Sequence, residues 1–290
     1  MLLLSLSTPT FFREVTARNN KVKTELKVSS ANNPLIDPAP AEIPLKDAPL
    51  VRVVSQVRFP TIASIAKRDF IAPFQEALRA KYPILREENI LEVTFASDEP
   101  VKKEPVWRFF DAEEDWRVSL TSGFLAFETR KYESRKDFLK KLRFVLDALE
   151  ECFSPGLVDR VGLRYVDQVT GEGFPKLPSF IRQEMLGVLA HSLGESTFHS
   201  LSESVFDVPE QNARLLTRWG KIPEGGTIDP GVMEPIDTPS WILDLDMFSR
   251  QRREYKAEEI SELISEFADR IYSFFRWVVT DEFLKYYGGQ

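Results

Sequence analysis

Four strand-like segments of this 290-residue chain place arginines, glutamines and carboxylates on alternating positions. In Leu50 to Phe59 they are Arg52, Gln56 and Arg58; in Leu157 to Val169 they are Arg160, Arg164 and Gln168. A later segment carries Arg214 and Arg218, and the last carries Asp244 and Asp246. Side chains alternate along a strand, so each set shares one face. A guanidinium is a planar fork that grips phosphate or carboxylate with two hydrogen bonds. If the strands are neighbours, Arg52, Gln56, Arg58, Arg160, Arg164, Arg218, Asp244 and Asp246 meet on one surface. Two chemistries are then open. One is a site for an anionic ligand. The other is an ion-pair network whose arginine stems cover apolar surface. Buried positive charge in excess of carboxylate is costly without an anion, which is the argument for the first.

A second pattern is Asp244 and Asp246 followed by Glu254-Tyr255-Lys256. Carboxylates that hold a divalent ion beside a lysine are the arrangement of metal-dependent nucleases. Here Glu254 sits in the charged run Arg250 to Glu259, which reads as a solvated helix entry. Asp244, Asp246 and Glu254 are therefore the metal set of an alternative reading, and the main reading calls for no metal and no cofactor. His191 and His199, the two histidines, are tied to no nucleophile by a motif. Ser64-Ile65-Ala66-Lys67 fits Ser-x-x-Lys but reads better as a helix start. Nothing resembles a glycine-rich phosphate loop.

Composition narrows the classes further. Lys and Arg number 38 against 45 Asp and Glu, a net charge of −7, which argues against nucleic acid as partner. The single cysteine, Cys152, excludes an intrachain disulfide and reads as a small buried hydrophobe of a helix. No apolar run reaches the ~18 residues of a membrane span, and Met1 to Leu6 lacks the basic start of a signal peptide. A cytoplasmic protein is expected.

These candidates need elements to hold them. Residues 1–46 are rich in Asn and Pro and read as an extended or partly disordered arm. From 47 to 155 the pattern gives a strand (Leu50 to Phe59), a helix (Ser64 to Tyr82), short strands near Leu91 to Phe95, Val106 to Phe110, Trp116 to Leu120 and Phe124 to Thr129, and a helix from Ser134 to Phe153. Ser134 with Asp137 resembles a capping box. From 156 to 290 the order recurs: a strand (Leu157 to Val169), a helix (Ser179 to His191), strands near Thr197 to Val208, Ala213 to Gly220 and Trp241 to Phe248, then a helix from Ala257 to Tyr287. The Pro- and Gly-rich stretch Pro223 to Pro239 reads as a connecting loop with room to be a binding segment. The expected fold is α+β, two related β-α-β-β-β-α halves with an antiparallel sheet and long helices on one face. Arg52-Val53 pairs with Arg160-Val161, and Leu125-Ala126-Phe127 with Leu243-Asp244-Leu245, as the suggested repeat.

The segments Ala48 to Arg52, Gln56 to Pro60, Arg160 to Tyr165 and Ile242 to Asp246 resemble a sporadically distributed bacterial family of about 250–290 residues with no assigned activity. The resemblance spans about residues 46 to 288 and leads one to expect Asn where this chain has Asp167. It implies no catalytic residues. Its sporadic distribution suggests an accessory of a defence or toxin–antitoxin locus. The functional expectation is a binding or interaction protein with a protein partner or homodimer. Alternatives are a metal-dependent hydrolase of nucleic acid or nucleotides, and a small-ligand protein with a pocket between helix and sheet.

Overall fold

A computed structural model describes residues 33–92 and 102–289. The expected arm falls largely on residues 1–32, outside the described residues, as does the end of the strand expected near Leu91 to Phe95.

The first half runs β1 (Leu50–Arg58), α1 (Arg68–Leu78), β2 (Ile84–Glu92), β3 (Lys102–Phe110), β4 (Trp116–Leu120), β5 (Phe124–Thr129) and α2 (Arg135–Phe153). The second half runs β6 (Leu157–Val158), β7 (Arg160–Val169), α3 (Leu177–Phe180), α4 (Gln183–Leu186), β8 (Ser200–Val208), β9 (Ala213–Ile222), β10 (Ser240–Ser249), β11 (Arg253–Glu254), α5 (Ala257–Val278) and α6 (Asp281–Tyr286). Nine strands form one antiparallel sheet in the order β2-β3-β4-β5-β1-β7-β10-β9-β8; β6 and β11 make a separate two-stranded ribbon. The fold is α+β, as the alternation of the strands predicts. The first half has four strands after its helix, matching the four short segments expected there and one more than the β-α-β-β-β-α outline.

The two opening strands, β1 and β7, lie side by side at the centre of the sheet. Each is flanked by the last strand of its own half, β5 and β10. One row of each strand is apolar and feeds the main core: Val53 and Val57 on β1, Phe127 on β5, Leu163 on β7, Leu245 and Met247 on β10. Helices α1, α2 and α5 bury their apolar stripes against that row. On α5 the stripe is Ile260, Ile264, Phe267, Ile271, Phe274 and Val278, a spacing that keeps one face inward. The alternate row faces away from the helices. Over its middle lies the 223–239 loop, whose Val232 and Met233 pack with Val54, Val166 and Ile242 in a small second core.

Helix ends depart from the expected ones for local reasons. Ser134 is an N-cap whose hydroxyl accepts from the Asp137 amide at 3.2 Å. The helix expected over Ser179 to His191 is two single turns and 3-10 segments, because Ile181 is extended and Gly187 has φ +54°. The long final helix breaks at Val279, which is extended and bridges to Ile181; Thr280 then caps α6. Helix α1 starts only at Arg68, after a 3-10 turn over Ala63–Ala66.

Phe127 is fully buried and touches the rings of Trp116, Phe138 and Tyr82, joining β5 to α2. Phe127→Ala removes that junction and leaves a cavity. The expected loss is about 3–5 kcal/mol of unfolding free energy, read from urea denaturation. A loss under about 1 kcal/mol would show that the aromatic layer is not what couples helix to sheet.

Candidate functional site

The strand register brings the eight predicted residues onto one face. Arg58 is opposite Arg160, Gln56 opposite Gly162 and Val54 opposite Arg164 across β1 and β7. Arg164 is opposite Asp246 across β7 and β10, and Asp244 opposite Arg218 across β10 and β9. This is the face turned away from the helices.

Most of the charge there is paired. Arg164 grips Asp244 with two bonds, Nε to Oδ1 at 2.7 Å and Nη2 to Oδ2 at 3.0 Å. Its third nitrogen donates to Asp229 of the covering loop at 2.7 Å. Arg218 reaches the same Asp244 at 2.9 Å. Burial alone would lower the Arg164 pKa; the Asp244 charge and hydrogen bonds, with Asp246 and Asp229, outweigh it and raise it. Arg160 donates to Asp246 at 3.2 Å and lies over the Phe248 ring, 4.8 Å from its centre. Gln56 accepts from Arg58 at 3.0 Å and from Arg160 at 3.3 Å. Arg52 pairs with Glu128 at 3.4 Å and donates to the Val232 carbonyl at 3.1 Å. Arg58 is half-buried; burial first, then the Arg160 and Arg250 charges, lowers its pKa.

The pairing repeats across the sheet. Glu128 is opposite Val54 and Arg117, and it pairs with Arg52, two residues before Val54, and with Arg117. Asp244 is opposite Val166 and Arg218, and it pairs with Arg164, two residues before Val166, and with Arg218. Arg52 and Arg164 thus hold equivalent places around Glu128 and Asp244. Arg117 and Glu128 were absent from the sequence set; their signal was a charged residue in the polar row of β4 and β5. Asp229 gave no signal, because the path of a loop is not written in an alternation.

The metal set is not assembled. Asp244 and Asp246 are committed to guanidiniums, while Glu254 sits on the β6/β11 ribbon with its side chain 71% exposed beside Lys256. Among the described residues no three His, Cys, Asp or Glu side chains are grouped to hold a metal ion. His191 and His199 are both exposed.

The helix side of the sheet holds a different feature. A cavity of about 250 Å³ lies between β7, β10, α5 and the head of α2, closed on one side by residues 42–48. Those residues form a strap tied to α5 and the chain end. The Ile43 amide donates to the Tyr272 hydroxyl at 2.7 Å, the Asp47 amide to the Tyr287 carbonyl at 3.1 Å, and Arg270 donates to the carbonyls of Pro34 and Asp37. The walls are mainly apolar, with Ile43, Leu45, Leu245 and Ile271 among them. Tyr132 and Tyr165 stand edge to face with ring centres 5.6 Å apart and hydroxyls 3.3 Å apart. Burial raises the pKa of Tyr132 to about 12.

Asp167 also lines this cavity. It occupies the row of Val161 and Leu163, the buried row of β7, between Leu50 and Leu243 on the neighbouring strands. Among the described residues no cation or hydrogen-bond donor is paired with its carboxyl group; burial pushes its pKa from 3.8 to about 7, and its charge in turn raises that of Tyr287.

In comparison with known proteins, no family model and no curated protein matches the chain. The roles of these residues therefore rest on their own geometry.

Two outcomes follow. Asp244→Asn leaves Arg218 without its carboxylate and Arg164 with Asp229 alone; it is expected to cost about 3–5 kcal/mol in urea denaturation. Arg214→Ala, which breaks only the exposed pair with Asp207, is expected to stay within about 0.5 kcal/mol. For Asp167, the unfolded chain ionises near 3.8 and the fold near 7. Between those values the fold holds a proton that the unfolded chain has lost. The stability this group contributes is highest below the lower value, falls as pH rises to the upper one, and is constant beyond it. At pH 8 Asp167→Asn should be more stable than the parent by roughly 2–4 kcal/mol, with no such gain below pH 4. Parallel stability profiles for the two proteins would contradict this.

Proposed function

We propose that the chain is a binding protein that holds a small, mainly apolar molecule in the cavity between its helices and sheet, without catalysing its conversion. The observation that carries this reading is a half-open cavity lined mainly by apolar side chains, with Asp167 and the paired Tyr132 and Tyr165 in its lining. Cavities of a few hundred cubic ångströms with few, well-placed polar groups are how proteins hold small ligands.

The polar face is read as structural. Its carboxylates Glu128, Asp244 and Asp246 are each paired with arginines, which supports an ion-pair network over an anion site through most of its length. The same reading takes the two halves as products of duplication, supported by the two guanidinium–carboxylate–guanidinium clusters at equivalent positions of the sheet. It keeps a cytoplasmic setting, supported by the single free cysteine.

Native mass spectrometry of the protein purified from its own host tests the pocket. The expected result is a retained small molecule at close to one per chain. Ala268→Phe, which fills the cavity from α5, should abolish retention while the far-ultraviolet circular dichroism stays unchanged. Retention that is indifferent to this substitution would place the ligand elsewhere.

A further inference from the structure

We infer that the ligand of this cavity carries a cationic nitrogen, an amine or a quaternary ammonium on an apolar body, held by the Asp167 carboxylate against the Tyr132 and Tyr165 rings. This rests on the pocket reading above and deepens it.

Asp167 is 7% exposed and lines the cavity, no described cation or hydrogen-bond donor is paired with it, and its one charge contact is with the neutral Tyr287 hydroxyl group, whose ionisation it opposes. The other buried carboxylates among the described residues are all paired: Asp244 with two arginines, Glu128 with two, and Asp229 and Asp246 with one each. An isolated carboxylate in an apolar setting is among the costlier groups a fold can hold. Three classes of ligand then differ in what they do to that cost. An anion adds repulsion. A neutral molecule finds the group only in its protonated form, or leaves the charge uncompensated. A cation pairs with it, and the fold then needs no internal partner at that position.

The cations already near the cavity do not fill the role. Arg135 is paired with Asp269 and lies 5.8 Å from the centre of the Tyr272 ring. Lys136 is exposed on α2. The remaining acidic groups at the rim, Glu42 and Glu133, add to the negative character. The aromatic walls agree with this charge. Tyrosine rings attract cations over their faces, more strongly when water is excluded. Tyr132 and Tyr165 bring two such rings to the lining, and α5 adds Phe275; the Tyr272 ring already has Arg135 and Arg276 over it. The cavity's size limits the ligand to a small molecule rather than a peptide or lipid.

The test uses the full-length protein and isothermal titration with matched probes: phenylethylamine and phenylbutylamine, and the alcohols of the same skeletons. The expected result is that the amines bind at least tenfold more tightly than the alcohols, and that Asp167→Asn erases the preference. Equal binding of amine and alcohol, or an amine preference that survives in Asp167→Asn, would overturn the inference while leaving the pocket in place. If the Asn variant does not fold, the amine–alcohol comparison on the parent protein decides alone. Should no probe bind, the molecule retained from the host is identified by mass: a neutral or anionic one sinks the cationic class only, and an empty protein sinks the pocket reading with it.

Discussion

A nine-stranded antiparallel sheet with its helices on one side has to satisfy the other side by different means. Here the alternate row of the central strands carries arginines, and each carboxylate among them draws in one or two guanidiniums. The bond pattern around Arg164 is the clearest instance. Its two grips on Asp244 fix β7 against β10, and its third bond to Asp229 pins the 223–239 loop across the face. Arg218 extends the link to β9. Removing one member strands the others in a place that water does not reach, so the cluster stands or falls together. The same arrangement around Glu128 links β1, β5 and β4. The halves of the sheet thus share one solution to one constraint.

On the helix side apolar side chains fill most of the space, and buried polar groups such as Ser55 and Thr129 are small hydroxyls. Asp167 departs from that pattern where the packing also leaves a void. The two departures coincide, and each makes sense of the other if the space is meant to be filled. The strap over residues 42–48 is held by the Tyr272 and Tyr287 contacts at α5 and the chain end, so the wall of the cavity is built from both termini of the described chain.

The sequence made the convergence of Arg52, Gln56, Arg58, Arg160, Arg164, Arg218, Asp244 and Asp246 legible, because alternation along a strand is a local property. It did not give their pairing. Which strand lies beside which depends on long connections, and which guanidinium meets which carboxylate depends on register, neither of which is a local property. The loop carboxylate Asp229 had no periodic context at all. Asp167 was readable in principle: it shares phase with Val161 and Leu163, and a charged residue in a buried row is the informative exception. The break-up of the helix expected over Ser179 to His191 comes from the backbone at Ile181 and Gly187, which residue patterning does not record.

The central claim is that the space beside Asp167 belongs to a ligand. A high-resolution crystal structure of the protein purified from its own host tests this directly. The account predicts continuous density for a small molecule in the cavity, with a nitrogen within hydrogen-bonding distance of the Asp167 carboxylate. Density for ordered water alone, or an Asp167 side chain turned to pair with a residue of the protein itself, would contradict it.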